Sequence, residues 1–212
     1  MLITAEILKD IFSKPLPGER AQKLMSPSSR FTGNAEPNPE LAKESSVFIL
    51  LFEENGEWFI PLIKRPVYNG AHSGQISLPG GKRDEEDRDI LQTAFRETEE
   101  EIGIAPGLIT HVGTLTRLFI PNSNFIVTPQ VGLINSTPTF KREPEEVEEI
   151  IKLPFTSLFD KAMIKTFERN INNHTINAPY YCCGEHVIWG ATAMILSEFA
   201  EVIKESTLLK IS

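Results

Sequence analysis

Apolar positions recur along the chain with two different periods, which predict a mixture of helices and strands. From Asp89 to Ile102 they recur at helical spacing, which is typical of an amphipathic helix, and Gly103 supplies its C-terminal stop. Ser46 to Glu53 is continuously apolar and rich in β-branched and aromatic residues, which predicts a buried strand. Asn55-Gly56 is a turn signal, and Glu57 to Arg65 returns as the second strand of a hairpin.

Further strand patterns follow the predicted helix. Ile109 to Pro121 and Asn124 to Ile134 are rich in Val, Ile, Thr and Phe, so each favours a strand. Pro129 indicates that the second of these lies at an edge or bends. These patterns predict one α/β (α+β) domain. The remaining predicted elements are a strand at 147–153, a hairpin at 163–168 and 176–182, and a C-terminal helix from Trp189 to Lys204.

The first 45 residues favour an appendage and not a second domain. Ile3 to Phe12 predicts a short helix, whereas Lys14 to Glu40 is rich in Pro, Ser, Gly and Asn and favours irregular chain. Packing across the main domain, or against a second subunit in a homodimer, is one role for this segment. The other is to supply a cation to a substrate phosphate, from Arg20, Lys23 or Arg30. The predicted boundaries are an extension at 1–45, the main domain at 46–206 and a tail at 207–212.

Composition narrows the partners that we expect. The chain has 212 residues, a formal net charge of −8 and two cysteines. The acidic balance without a basic stripe argues against nucleic acid, and no apolar run approaches the length of a membrane span. The N-terminus does not resemble a signal peptide, and Cys182 and Cys183 are adjacent instead of spaced as a disulfide framework. We therefore expect a cytoplasmic protein with reduced thiols.

The predicted helix carries a cluster of carboxylates. Glu97, Glu100 and Glu101 fall on one side of it, where like charges repel by about a few tenths of a kcal/mol per pair. A divalent cation would reverse that cost, because Mg²⁺ and Mn²⁺ prefer carboxylate oxygens. The alternative is a solvated acidic face. Arg96, which can orient a carboxylate, and the flexible backbone of Gly80-Gly81 favour the metal site.

The segment from Arg96 to Ile104 resembles the second half of the Nudix box, R-E-U-x-E-E-x-G-U, where U is aliphatic. Thr98 departs from the aliphatic preference, although its methyl group can still pack. The resemblance implies that Glu97, Glu100 and Glu101 are metal ligands and catalytic residues, and that Arg96 orients them.

The first half of the box departs further. The usual box has Glu eight residues before the Arg, and this chain has Arg88 there. Fourteen residues separate Gly81 from Arg96, one more than the standard spacing. Asp87 and Asp89 are the candidates to replace the missing Glu.

The segment from His72 to Gly81 reads H-x-G-Q-I-S-L-P-G-G, after a strand that ends in Lys64-Arg65. With the longer box, it resembles the coenzyme A pyrophosphatase branch of the Nudix hydrolases, from about Ser46 to Leu196. This implies the Nudix fold, a mixed β-sheet sandwiched between helices. Arg65 suits a bidentate anion contact or, alternatively, a surface ion pair. The implied substrate-binding residues are Arg65, His72, Gln75, Ser77, Gly80 and Gly81.

The resemblance implies hydrolysis of a diphosphate linkage with Mg²⁺ or Mn²⁺, and coenzyme A or acyl-coenzyme A as the substrate. The products would be 3′,5′-ADP and 4′-phosphopantetheine. One alternative is another substrate, such as ADP-ribose, NADH or a dinucleoside polyphosphate. A non-catalytic binding module is the other, favoured by Arg88 and opposed by the intact glutamates. The general base stays open among the glutamates. Glu145 and Glu146 are further candidates for base or metal ligand, and the alternative for them is a solvated acidic loop that leads into the next strand.

Overall fold

The structure is a computed structural model that describes residues 2–28, 41–67, 74–171 and 174–206. The helices are α1 (Ala5–Phe12), α2 (Glu19–Gln22), α3 (Ile90–Ile102) and α4 (Gly190–Glu205). The strands are β1 (Lys43–Glu54), β2 (Glu57–Lys64), β3 (Ile76–Ser77), β4 (Gly80–Lys82), β5 (Ile109–Thr114), β6 (Leu118–Ile120), β7 (Phe125–Ile134), β8 (Glu149–Pro154), β9 (Ile164–Ile171), β10 (His174–Cys183) and β11 (His186–Trp189). Short 3-10 helices cover Lys23–Met25, Pro106–Leu108, Phe155–Phe159 and Lys161–Met163.

A mixed sheet is built around β1. This strand pairs in parallel with β7 and antiparallel with β2 and β4. On its far side β7 pairs with β5 and β6, while β2 continues the sheet to β3 and β8. A second, antiparallel sheet has the order β11-β10-β9.

Side chains alternate along β1, so that its two faces enter two different clusters of buried residues. Phe48 and Leu50 pack in the cluster that contains residues of α3. Ile49 and Leu51 pack in the other cluster, which contains residues of α1 and α4 such as Phe199. Because a strand points successive side chains to opposite faces, the sheet separates α3 from α1 and α4. This confirms the predicted mixed β-sheet sandwiched between helices.

Both ends of α3 are fixed by local capping. The Asp89 carboxylate accepts a hydrogen bond from the Gln92 N–H at 2.8 Å, which satisfies one donor of the first turn. At the other end Gly103 adopts φ 73°, and its N–H donates to the Glu99 carbonyl at 3.0 Å. A left-handed residue at this position favours glycine. The helix therefore begins and ends where the sequence predicted.

The structure corrects the predicted strand at Ile109–Pro121. It is two strands, β5 and β6, separated by a gap in which the Leu115 N–H donates to the Pro129 carbonyl at 2.9 Å. Of the two alternatives predicted at Pro129, an edge or a bend, the edge is excluded because β7 is paired on both sides. The nitrogen and carbonyl of a strand residue face the same neighbour. The nitrogen of Pro129, which carries no hydrogen, therefore faces the gap between β5 and β6. No hydrogen bond of the sheet is lost there.

Gly80 and Gly81, for which the sequence indicated a flexible backbone, form β4 and pair with Val47 and Ser46 of β1. This pairing holds the two glycines directly beside α3.

The N-terminal segment is tied to α4 by buried polar groups. The Gln22 side-chain amide donates to the Glu198 carboxylate at 2.8 Å and to the Thr116 carbonyl at 3.0 Å. The Thr116 N–H donates to the same carboxylate at 3.2 Å, and the Ser197 hydroxyl donates to the Ala21 carbonyl at 2.8 Å. The prediction of irregular chain from residue 14 was therefore wrong at α2, which is ordered by these contacts.

The basic residues considered as phosphate contacts lie elsewhere. Arg20 pairs with Glu205 at 2.8 Å, and Lys23 pairs with Glu19 at 3.1 Å, both at exposed positions. Arg30 lies outside the described residues. Neither of the two described cations joins the site discussed below.

The described part of the chain contains free cysteines and no membrane-spanning helix. Cys182 and Cys183 both carry free thiols. Within the described ranges, no helix has the length and apolar character needed to cross a bilayer. The cytoplasmic location stays a prediction.

Candidate active site

Three carboxylates meet between α3 and the loop that precedes β8. Oxygen atoms of Glu97, Glu101 and Glu146 all lie within 4.8 Å of one another. The Glu101 side chain is 1% exposed and that of Glu97 is 14% exposed, whereas Glu146 is open to solvent. Such a set of hard oxygen donors, buried on one side and open on the other, fits a divalent cation such as Mg²⁺ or Mn²⁺.

The glutamates predicted from the sequence do not all reach this cluster. Glu100 is 52% exposed and bonds to Arg96 at 3.0 Å, outside the group of three. Successive helix residues are about 100° apart, so Glu101 points toward the sheet while Glu100 points away. Of the two loop candidates, Glu146 joins the cluster and Glu145 does not. Glu100 stays a predicted metal ligand.

Backbone and cation contacts hold the deepest carboxylate. The Gly80 N–H donates to Glu101 Oε2 at 2.8 Å, and Arg65 Nη2 lies 3.5 Å from Glu101 Oε1. Arg65 also donates to the Gly80 carbonyl at 3.3 Å. Gly81 lies against the Glu97 carboxyl group, where a methyl group would collide with it. The two glycines therefore allow β4 to approach both α3 carboxylates closely.

Arg96 is fixed by a ring of acceptors. Its guanidinium donates to Asp87 at 3.0 and 3.1 Å, to Glu97 at 2.9 Å and to the Lys82 carbonyl at 3.1 Å. Asp87 is 2% exposed and also accepts from the Thr93 hydroxyl at 2.8 Å. Of the two aspartates predicted to replace the missing Glu, Asp87 pairs with Arg96. Asp89 instead caps the N-terminus of α3.

The pKa values reflect this arrangement. The Arg96 guanidinium, more than any other group, lowers the pKa of Asp87 from 3.8 to about 2. Burial raises the pKa of Glu101 from 4.5 to about 8, against the opposing effects of Arg65 and the Gly80 N–H. Burial also raises the pKa of Glu97. In the metal-free protein, ionising Glu97 and Glu101 is therefore less favourable than in water, and a bound divalent cation would offset that cost.

We expect the metal-free protein to lose stability as the pH rises from about 4.5 to about 8. Because the pKa of Glu101 is raised on folding, the folded state holds a proton over this range that the unfolded state has released. The stabilisation is complete below the unfolded pKa and is lost as the pH passes the folded pKa. Its size is on the order of a few kcal/mol.

Urea unfolding in the presence of a chelator, repeated across this pH range, measures the effect. Glu101→Gln, which cannot titrate here, should show a shallower fall in the free energy of unfolding. Asp87 does not interfere, because its lowered pKa affects stability only below about pH 3.8. Equal slopes for the wild type and the variant would contradict the assignment of the raised pKa to Glu101.

A cavity of about 440 Å³ opens beside the carboxylates. Its described walls include five of the six predicted substrate-binding residues: Arg65, Gln75, Ser77, Gly80 and Gly81. The sixth, His72, lies outside the described residues. The cavity also has walls from β1, the β6–β7 turn and α4.

The fold and the site define an α+β protein whose carboxylate-bearing helix is suited to a divalent metal. The NUDIX domain model matches residues 42–172, and the chain belongs to the Nudix family. Members of this family, the Nudix hydrolases, generally require divalent metal ions.

Curated relatives support this membership. The chain is 36% identical to Nudix hydrolase 22, chloroplastic, and 34% identical to Nudix hydrolase 15, mitochondrial, both of Arabidopsis thaliana. These matches cover 76% and 80% of this chain, but the chain spans only 55% and 62% of the plant proteins. It is also 35% identical to the uncharacterized Nudix hydrolase NudL of Pectobacterium atrosepticum, over 68% of this chain and 74% of that protein.

Solved structures support the fold. The NUDIX domain of Shewanella oneidensis NrtR matches with a TM-score of 0.54 and 14% identity, over 83% of this chain and 98% of that one. RenU, a Nudix hydrolase of M. smegmatis, matches with a TM-score of 0.54 and 14% identity, over 77% and 87% of the two chains. At these identities the similarity concerns the fold alone.

Proposed function

We propose that this protein hydrolyses the diphosphate linkage of a nucleoside diphosphate derivative with the help of a divalent metal. The observation that carries the proposal is the meeting of Glu97, Glu101 and Glu146 beside a ligand-sized cavity. The names of the relatives agree with this activity.

Each part of the site has a role in the proposed reaction. Glu97, Glu101 and Glu146 would hold the metal, whose chemistry is to neutralise the diphosphate and to lower the pKa of a bound water. Arg65 lines the cavity beside Glu101, where its planar guanidinium suits a phosphoryl oxygen. Arg96 holds Glu97 in place through its 2.9 Å hydrogen bond. A glutamate of the cluster would accept the proton from the attacking water.

For the substrate we propose coenzyme A or an acyl derivative, cleaved to 3′,5′-ADP and 4′-phosphopantetheine. The support is the segment H-x-G-Q-I-S-L-P-G-G, of which Gln75 and Ser77 line the cavity. The nearest alternative is a substrate such as ADP-ribose, with which the Shewanella NUDIX domain was crystallised. That similarity shows the fold alone, so it does not favour ADP-ribose here.

A non-catalytic binding module has less support than the sequence suggested. That alternative depended on Arg88 at the position of the box Glu. The side chain of Arg88 bonds to Gln92 at 2.9 Å, and the adjacent Asp87 supplies the buried carboxylate that pairs with Arg96. The residue before Arg88 therefore supplies a buried carboxylate next to the position where the box has Glu.

Product analysis by mass spectrometry tests the proposed function. We expect the purified protein to release 4′-phosphopantetheine from coenzyme A with Mn²⁺ or Mg²⁺, and to release none with a chelator. The same reactions with ADP-ribose and NADH should be slower. Faster cleavage of ADP-ribose or NADH would retain the proposed diphosphate hydrolysis and reject coenzyme A as the preferred substrate. No cleavage of any of the three compounds would reject the proposed hydrolase activity.

A further inference from the structure

The cavity beside the carboxylates is continuous with the site of the proposed reaction. Arg65, Gly80 and Gly81 line it and also contact Glu97 or Glu101. Its volume of about 440 Å³ falls within the range of small-molecule pockets. A diphosphate bound at the carboxylates would thus have one of its two arms inside this cavity.

The walls of the cavity are mainly apolar. They include Val47, Leu78, Phe125, Trp189 and Ile195. Among the described lining residues, the only positively charged ones are Arg65 and Lys82. Both lie at the end of the cavity beside the carboxylates, because Arg65 contacts Glu101 and Lys82 directly follows Gly81, which lies against Glu97. At that end they can contact the diphosphate but not a group deeper in the cavity. A phosphate placed deep in the cavity would therefore lose its hydration without gaining a cation, which is strongly unfavourable.

Two serine hydroxyls in the cavity walls lack hydrogen bonds. Ser77 Oγ and Ser123 Oγ are buried, and neither has a partner among the residues that the structure describes. A buried hydroxyl without a partner is unfavourable, because it has lost its bonds to water. Rotation about χ1 moves such an oxygen between staggered positions, so each serine can offer a donor and an acceptor to a bound molecule. The occupant should therefore carry polar but uncharged groups.

We propose that this cavity binds the uncharged arm of the diphosphate substrate and excludes the arm that carries an additional phosphate. The proposal rests on the function proposed above. In coenzyme A the uncharged arm is the pantetheine half, which combines methyl and methylene groups with two amides. The adenosine half carries a 3′-phosphate and would extend away from the cavity. Ser123 thereby becomes a specificity-determining residue, which contacts the pantetheine half.

Binding of the two separate halves tests the assignment. Ala191 lines the cavity at the start of α4, so Ala191→Leu narrows it without removing a packed side chain. With Mn²⁺ present, calorimetry should show that this variant binds 4′-phosphopantetheine about tenfold more weakly or worse. Binding of adenosine 3′,5′-bisphosphate should change by less than about twofold. Ala162→Leu, at an exposed position, is the matched control.

A second variant separates ligand binding from folding. Because the Ser123 hydroxyl has no described partner, Ser123→Ala should leave the melting temperature unchanged or raise it. The same variant should weaken 4′-phosphopantetheine binding roughly three- to tenfold. A lower melting temperature with unchanged binding would show that the hydroxyl is structural, and would overturn its role in specificity.

The results also distinguish the cavity assignment from the proposed function. Selective loss of 4′-phosphopantetheine binding in Ala191→Leu, without any hydrolysis by the wild type, would retain the assignment and reject the function. If the wild type hydrolysed coenzyme A and Ala191→Leu weakened the binding of both halves equally, the function would be retained and the cavity assignment rejected. Selective loss of adenosine 3′,5′-bisphosphate binding would overturn the assignment, since it would place the adenosine half in the cavity.

Discussion

Glu101→Gln should fold as the wild type does and lose activity roughly a hundred- to ten-thousandfold. Glutamine has nearly the same shape, and its side-chain oxygen can still accept the Gly80 hydrogen bond. It also removes a buried carboxylate whose ionisation is unfavourable in the metal-free protein. What it cannot supply is a negatively charged ligand for a divalent cation. Glu101→Gln should therefore keep the fold and lose the activity.

Two measurements are needed for this variant. Thermal unfolding with chelator should show a melting temperature at least equal to that of the wild type, whereas the stabilisation by Mn²⁺ should be lost. Steady-state hydrolysis should show the loss in kcat. Glu99→Gln is the matched control, because Glu99 lies on the same helix but is exposed and outside the carboxylate cluster. If Glu101→Gln turned over normally, Glu101 would have no part in the site.

Replacing Gly80 by alanine should mainly lower stability, whereas replacing Gly81 by alanine should mainly weaken metal binding. At Gly80 the backbone has φ 143°, and an added methyl group would collide with the backbone of Ser46 and Val47 in β1. Backbone atoms of a central strand cannot move aside, so Gly80→Ala should destabilise the protein by on the order of 3 kcal/mol or more. At Gly81 the atoms nearest to the added methyl group all belong to the carboxyl end of the Glu97 side chain, which can move. Gly81→Ala should therefore fold but displace a proposed metal ligand.

Urea unfolding and Mn²⁺ titration distinguish the two effects. Gly81→Ala should keep most of the free energy of unfolding and lose at least about tenfold in Mn²⁺ affinity, the scale at which displaced metal-site contacts act. Gly107→Ala provides a control, because an added methyl group meets no atom within 4 Å there. Normal Mn²⁺ binding by Gly81→Ala would show that Glu97 does not need its present position to hold the metal.

The sequence was most informative where the signals are local. Both ends of α3 follow from residues that act within one helical turn, the Asp89 cap and the Gly103 stop. The continuous apolar run of β1 likewise predicts a strand that is buried on both faces, because successive side chains of a strand point to opposite sides of the sheet. The gap between β5 and β6 was not predictable in this way. It depends on the register in which the next strand, β7, pairs with both of them.

The site was predictable in part for the same reason. Glu97 and Glu101 are separated by one helical turn, so their proximity follows from helix geometry. The position of Glu146 depends on the path of a loop, and nothing in its sequence distinguishes it from Glu145. The Asp87–Arg96 pair depends on how the longer loop folds back. Ser123 faces the cavity only because the β6–β7 turn lies near α4, a contact between distant segments.

The buried hydrogen bond between Gln22 and Glu198 has a consequence for folding during synthesis. A ribosome produces the N-terminal segment first, but its partner on α4 follows 176 residues later. Until α4 has been synthesised, residues such as Leu8 and Phe12 lack part of their final packing surface. Exposed apolar side chains on a nascent chain promote misassociation. We therefore expect the order of synthesis to oppose early docking of this segment, so that it completes the fold last.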